Sequence, residues 1–189
     1  MKKTLLTLAT LCSFSALADW HLEQQNSSVS FTTFKKEHIA ENHQFESINA
    51  VVADSGKVQL TIDLSSVNTN IPIRDQRMQE HLFQTNKFAN ATFTTDLEDD
   101  FLASLKAGQS EVKVLSGVID LHGQQQSVAV TVQVSKLATN KILVTSVKPL
   151  LLKAGDFALV AGVNKLQELA GLPSISHTVP VVFTLNFTK

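Results

Sequence analysis

The stretch Val-Ala-Val-Thr-Val-Gln-Val at residues 128–134 decides the fold of this chain, because a valine recurs at every second position. The same alternation of apolar and polar side chains runs through residues 58–64 (VQLTIDL) and 179–187 (VPVVFTLNF). Successive side chains of a β-strand point to opposite faces, so each segment has one apolar and one polar face. Several such strands bury their apolar faces together when an antiparallel sheet closes on itself. The sequence therefore predicts a β-barrel with an apolar interior.

Tight turns join the predicted strands and set their direction. Glycine supplies the positive φ of a hairpin turn at residues 54–56 and 122–123, and Thr-Asn at residues 139–140 predicts a third turn. Strands connected this closely run antiparallel, so we expect an all-β antiparallel barrel of about eight strands. The predicted strands are residues 20–23, 28–34, 44–53, 57–65, 91–97, 112–121, 127–137, 142–152 and 178–187.

Two segments depart from the strand pattern and predict short helices in the connections. Residues 74–83 (RDQRMQEHLF) place their apolar side chains at helical spacing, and Asp75 near the start favours a helix N-terminus. Residues 163–170 also place apolar side chains on one helix face, and Gly171 and Pro173 end that pattern.

Residues 1–18 have the order of a bacterial export signal. A lysine pair precedes a short apolar stretch, which ends in Ala-Leu-Ala at residues 16–18. The apolar stretch is too short to span a bilayer comfortably. We therefore predict cleavage after Ala18, removal of Cys12 with the leader, and secretion of a single domain at residues 19–189 to the periplasm.

The composition of the predicted mature chain argues against several classes of partner. Removing the two leader lysines changes the formal charge from −1 to −3, so no basic stripe remains for a nucleic-acid backbone. No second apolar segment predicts an integral membrane anchor. The chain carries no cysteine after the leader, so it needs no disulfide in an oxidising compartment. Homodimer formation stays open.

Sequence patterns typical of catalysis are absent from the chain. It contains no Gly-x-Ser-x-Gly, no glycine-rich phosphate loop and no His-Glu-x-x-His. The histidines are scattered, and the closest pair, His38 and His43, does not have the spacing of a metal site. We therefore expect no enzyme activity, no metal site and no cofactor.

Four short motifs stand in order in the middle of the chain. They are Ser-Val-Asn-Thr at 66–69, Ile-Arg-Asp at 73–75, His-Leu-Phe at 81–83 and Lys-Phe-Ala-Asn-Ala-Thr-Phe at 87–93. Together they resemble the YceI-like family, and residues 115–123 and 154–159 add weaker matches. The chain departs from the family pattern at residues 76–77 and 79–80 and at Ala158, where members often have glycine.

The resemblance implies a lipocalin-like barrel whose long cavity holds a polyisoprenoid, for transport or storage. The lipid would be a prenyl diphosphate or the tail of an isoprenoid quinone. Arg74 is the candidate contact for its head group at the cavity mouth, because a guanidinium binds oxyanions well. Inward apolar residues would line the cavity. The predicted lining residues are Phe31, Phe45, Leu60, Ile62, Phe83, Phe93, Val130, Val132, Phe157 and Phe183.

Each of these assignments has a structural alternative. Any one phenylalanine can belong to an ordinary core, Arg74 can pair with Asp75 or Glu80, and His81 can be a structural histidine of the same corner. The rival function is a cell-envelope protein-interaction or stress-response module with a filled barrel and no lipid cargo. The sequence does not distinguish a packed barrel from a hollow one.

Overall fold

Twelve strands form a single sheet in the computed structural model, which describes residues 19–98 and 100–189. The predicted leader and Cys12 lie outside the described residues. In chain order, the strands are β1 Trp20–Leu22, β2 Ser28–Lys35, β3 Ile39–Phe45, β4 Ile48–Val52, β5 Lys57–Asp63, β6 Val67–Asn68, β7 Asn90–Asp96, β8 Ser110–Leu121, β9 Gln124–Ala138, β10 Lys141–Ser146, β11 Leu150–Lys153 and β12 Thr178–Thr188.

The sheet is a closed antiparallel barrel with eight strand positions. Some positions hold two short strands in series, namely β1 with β2, β3 with β4, β5 with β6 and β10 with β11. The ring closes at β12, whose first half pairs with β2 and β11 and whose second half pairs with β1 and β10. Val181 lies opposite Phe31, and Leu185 lies opposite Val144. The predicted all-β antiparallel barrel is confirmed.

Two of the predicted strands have the wrong bounds. The segment 44–53 is interrupted between β3 and β4, and the segment 142–152 is interrupted between β10 and β11. Pro149 lies in the second gap, where it has no N–H for a strand ladder. Strand β3 also begins earlier than predicted. The prediction missed its first residues because Glu41 and His43 occupy inward positions, where the sequence pattern requires apolar side chains.

The first predicted helix exists, but it changes pitch. An α-helix, α1, covers Pro72–Arg77 and continues as π-helix over Met78–Phe83. It begins earlier than the predicted residue 74, because proline fits the first helical turn, where its missing N–H costs nothing. Gln84 ends the π-helix with a positive φ of 50°.

The other helices lie in later connections. Helix α3 covers Val160–Leu169 and so begins before the predicted residues 163–170. A short helix, α2, at Phe101–Ser104 is absent from the sequence prediction, because four residues are too few to show a helical period. Short 3₁₀ turns add Gln24–Asn26, Leu64–Ser66 and Ala154–Phe157.

The helices cover opposite ends of the barrel. At one end α3 packs on the π-helix so closely that a Cβ at Gly162 would lie 2.7 Å from the His81 carbonyl oxygen. At the other end Phe101 of α2 belongs to a core cluster with Trp20 and Val52. Among the described residues, no helix combines the length and the hydropathy needed to cross a bilayer.

Candidate functional site

A cavity of about 530 Å³ runs through the interior of the barrel. Every strand position contributes to its wall, because the apolar residues of each strand alternate inward. The structure places every predicted lining residue on this wall, together with Arg74 at one end. These residues are Phe31, Phe45, Leu60, Ile62, Phe83, Phe93, Val130, Val132, Phe157 and Phe183. Their contact with a ligand stays a prediction.

The barrel is hollow in its middle. Leu60 lies opposite Phe93 and Ala50 in mid-barrel and faces the cavity, yet it is only partly buried. Phe93 and Phe183 are partly buried in the same way. Protein interiors are normally packed without voids much larger than a water molecule. Partial burial of inward side chains therefore means that the protein's own residues do not fill the bore.

One end of the cavity is sealed by bulky side chains. Trp20, Phe101 and Leu105 are 5%, 7% and 6% exposed. Lys113 packs over the Phe101 ring, with its Nζ 4.8 Å from the ring centroid. Lys136 Nζ donates to the carbonyl oxygen of Leu102 at 2.9 Å and fixes the same helix. This end is the floor of the bore.

The opposite end is a mouth with an apolar rim. Ile71 and Ile73, beside the first turn of α1, line the cavity but are 43% and 54% exposed. Leu172 and Ile175, from the segment that follows α3, complete the apolar part of the rim. The bore therefore opens between α1, the β2–β3 hairpin and the chain after α3.

Just inside the mouth lies a polar cluster, the collar, which consists of Thr33, Lys35, Glu41, His43 and Arg74. One carboxylate oxygen of Glu41 accepts from both Lys35 Nζ and Arg74 Nη1, each at 2.8 Å. The hydrogen bond from Lys35 is the main cause that holds the pKa of Glu41 below its ordinary value. Glu41 therefore neutralises one of the two positive charges of Lys35 and Arg74, and the collar has a net charge of +1 when His43 is neutral.

The predicted partners of Arg74 are wrong. Arg74 pairs with Glu41, because β3 brings that carboxylate across the mouth. Its Nη2 also donates to the Thr69 carbonyl oxygen at 2.7 Å. Asp75 instead accepts from the backbone N–H of Thr69 at 2.8 Å and from the Thr69 hydroxyl. These bonds hold the start of α1 against the barrel and fix the guanidinium at the mouth.

His43 is the most deeply buried member of the collar, at 5% exposed. Its Nε2 lies 2.9 Å from Thr33 Oγ1. Burial lowers the pKa of His43, and the positive charge of Arg74 lowers it further. The imidazole is therefore neutral near pH 7.

An aromatic run leads from the collar into the bore. The ring of Phe31 lies 5.2 Å from that of His43 and 5.3 Å from that of Phe45. Phe45 in turn lies 5.9 Å from Phe83 on the π-helix. The run offers flat apolar surfaces directly below the polar collar, which suits an amphiphile with a polar end and an apolar chain.

The sequence prediction missed four members of the collar, namely Thr33, Lys35, Glu41 and His43. All four lie on the β2–β3 hairpin, whose turn at residues 36 and 37 has positive φ values of 51° and 64°. The missed signal was alternation of polar residues around this turn, because residues 33 and 35 and residues 41 and 43 share the inward face.

His81, from the same corner, lies outside the collar. Its Nε2 is 3.9 Å from a carboxylate oxygen of Glu80, beyond hydrogen-bond distance. Over residues 19–98 and 100–189, no group of three histidine, cysteine, aspartate or glutamate side chains is arranged to hold a metal ion.

The family model for a YceI-like domain matches residues 20–187. The chain belongs to the YceI-like family. A solved polyisoprenoid binding domain from Saccharophagus degradans, implicated in plant cell wall breakdown, is 37% identical with a TM-score of 0.87. The match covers 89% of this chain and 97% of that one. A search of curated proteins gave no match.

More distant solved structures share the fold. Burkholderia cenocepacia BcnA is 19% identical with a TM-score of 0.68, over 87% of this chain and 98% of that one. The Campylobacter jejuni YCEI protein is 18% identical with a TM-score of 0.56, over 78% of this chain and 84% of that one. The fold is therefore shared with solved structures of low sequence identity.

Proposed function

We propose that this YceI-like protein binds a polyisoprenoid lipid, with the tail in the bore and the head group at the collar. The observation that carries the proposal is the hollow apolar bore, sealed at Trp20 and open at Arg74. A long hydrocarbon satisfies apolar walls, whereas a sugar or nucleotide would leave its polar atoms without partners. The similar Saccharophagus degradans domain is described as polyisoprenoid binding, which supports the same ligand class here.

The energetics of the tail favour a carrier or storage role. Transfer of each CH₂ group from water to an apolar site is worth about 0.8 kcal/mol. A prenyl lipid, however, starts in a membrane, where its tail is already removed from water. The bore therefore needs only to rival the bilayer, and its useful property is shielding the tail while the lipid crosses water.

The export signal predicted at residues 1–18 supports the periplasm, an aqueous layer between two membranes, as the proposed location of this task. The head group would be the diphosphate of a prenyl diphosphate or the ring of an isoprenoid quinone. Both present oxygen atoms to the donors of the collar.

Binding without catalysis is the better interpretation of the collar. Thr33 and His43 resemble a hydroxyl and its general base. In hydrolytic triads, however, a third group orients the base through its other nitrogen, and no described residue is hydrogen-bonded to His43 Nδ1. The rival function, an interaction module with a filled barrel, is not favoured by partly buried inward residues such as Leu60 and Phe93.

A variant that fills the bore tests the proposal. Ala50 is 1% exposed and lines the bore, so Ala50→Phe places a large ring in the space of the tail. Asn49→Phe, on the outer face of the same strand, is the matched control. Titration with a long-chain prenyl phosphate or quinone should change the fluorescence of Trp20, the only tryptophan, and raise the melting temperature of the wild type and the control. A ligand at a hundredfold excess over its Kd raises the free energy of unfolding by about 2.7 kcal/mol.

Ala50→Phe should lose both responses. Native mass spectrometry of gently purified wild type should also show a co-purified prenyl lipid in a fraction of molecules. Equal responses in Ala50→Phe and wild type would contradict binding in the bore. Lipid-free preparations combined with no response to either ligand would contradict lipid binding itself.

A further inference from the structure

Two nitrogen atoms of the collar are buried without a hydrogen-bond partner among the described residues. They are Nδ1 of His43 and Nε of Arg74. Buried polar atoms in folded proteins are almost always paired, so such an exception points to a ligand. Both residues line the cavity, and His43 is 5% exposed.

The contacts of His43 decide which of its nitrogens carries the proton. Its ring is neutral near pH 7, so it holds one proton. The Thr33 hydroxyl lies 2.9 Å from Nε2. When the hydroxyl is the donor in this bond, the ring proton stands on Nδ1. The guanidinium Nε–H of Arg74 is a donor in every state. The two unpaired groups are then both donors, and together they are complementary to an acceptor atom.

We propose that His43 is a specificity-determining residue of the lipid site, whose Nδ1–H donates to an oxygen atom of the lipid head group. Arg74 Nε–H is the second donor to that head group. The inference rests on the proposed function and adds to it the polar end of the ligand. The ligand group that accepts these hydrogen bonds is an oxygen atom at the end of an isoprenoid chain, either a quinone carbonyl oxygen or a phosphate oxygen.

The position of His43 gives this bond its selectivity. The imidazole stands above the ring of Phe31, where the apolar bore begins. A tail that enters to the floor therefore leaves its polar end beside Nδ1. A hydrocarbon without a head group offers no acceptor and leaves both donors unpaired, so the site should prefer lipids with a head group.

A matched pair of amide variants isolates the donor. In His43→Asn the side-chain amide nitrogen takes the place of Nδ1, whereas His43→Gln places its amide group near Nε2. The probes are a long-chain quinone, a prenyl phosphate of similar tail length, and squalene as the hydrocarbon without a head group. Affinities are measured by Trp20 fluorescence.

His43→Gln should weaken binding of the head-group-bearing probe by about tenfold, the effect of one lost hydrogen bond in a buried site. His43→Asn should stay within about threefold of the wild type, and squalene should bind all three proteins equally. Loss confined to the quinone or to the phosphate identifies the head group. Loss for both shows that any acceptor oxygen serves.

Two results would overturn the inference. The first is wild-type affinity of His43→Gln for both head-group-bearing probes, and this result leaves lipid binding intact. The second is an imidazole ¹⁵N spectrum of the wild type with the proton on Nε2, a test that needs no variant. If no probe, squalene included, binds the wild type, the proposed function fails and this inference fails with it.

Discussion

At the residue scale, the buried His43 makes the stability of the protein depend on pH. Burial and the charge of Arg74 hold its pKa below the ordinary value of 6.5, and Lys35 acts in the same direction. Glu41 and Asp75 oppose the shift. As the pH falls below 6.5, the unfolded chain therefore takes up a proton at this residue before the folded protein does. The contribution of the neutral imidazole to the free energy of unfolding is therefore fully present above pH 6.5, and it is lost as the pH falls towards the lower pKa of the folded protein.

We predict that the wild type loses more stability than His43→Asn when the pH falls from about 7 to about 5, because asparagine does not titrate. The sign of the difference follows from the lowered pKa of His43. Urea denaturation at several pH values measures it. His38→Asn, at an exposed position in the β2–β3 turn, is the control and should keep the wild-type pH dependence. Parallel pH profiles for wild type and His43→Asn would refute the prediction.

The sequence predicted the apolar part of the site better than its polar part. Leu60, Ile62 and Phe93 stand in regular alternation, so their inward direction follows from period two alone. Glu41 and His43 also face inward, but they break the apolar rule on which strand prediction depends. Their partner, Arg74, is distant in the sequence, and only the closed barrel brings it to the same mouth.

At the scale of elements, the contact between α3 and the π-helix decides the shape of the mouth. A Cβ at Gly162 would lie 2.7 Å from the His81 carbonyl oxygen and 2.8 Å from Leu82 Cα. Neither atom is the end of a flexible side chain, so the two helices would have to move apart. Glycine is therefore required here, although alanine favours a helix by up to about 1 kcal/mol.

Gly162→Ala should destabilise the protein by about 1–3 kcal/mol despite this gain in helix propensity. Gly155→Ala is the control, because the nearest atom to its added Cβ would be a Val160 methyl group at 4.0 Å. The control should stay within about 0.5 kcal/mol of the wild type. Chemical denaturation of both variants provides the measurement. Equal stability of Gly162→Ala and Gly155→Ala would show that the helices separate without cost.

The element boundaries that the sequence missed have local physical causes. Pro149 has no N–H for the ladder and separates β10 from β11, so one apolar run becomes two strands. The change from α-helix to π-helix after Arg77 carries no composition signal, since both forms place apolar side chains on one face. Helix α2, which forms the floor of the bore, is too short to show periodicity.

At the scale of the whole molecule, the closed ring follows from the sequence, whereas its hollow interior does not. Period-two alternation requires an enclosed apolar face, and tight turns require neighbouring strands to pair in chain order. Whether inward side chains meet in the middle depends on the size and register of the closed sheet. A set of valines and leucines fits a filled or a hollow barrel equally well.

The first strand begins at Trp20, immediately beyond the predicted cleavage point. Cleavage after Ala18 would thus spare β1, which closes the barrel by pairing with β4 and β12. We predict that intact-mass measurement of the exported protein gives the mass of residues 19–189. The Ala18→Asp variant should keep the leader, because signal cleavage requires a small residue at this position. Exported wild type that retains Met1 would refute the prediction.

Within the described part of the chain, Trp20, Phe101 and Leu105 close one end of the bore, which is therefore a blind cavity and not a channel. Under the proposed function, a lipid would therefore enter and leave through the same mouth, and its polar end would leave first. A donor and an acceptor membrane could not hold one protein molecule by this mouth at the same time, so the loaded protein would have to cross the water between them. We would then expect the rate of transfer not to depend on contact between the two membranes.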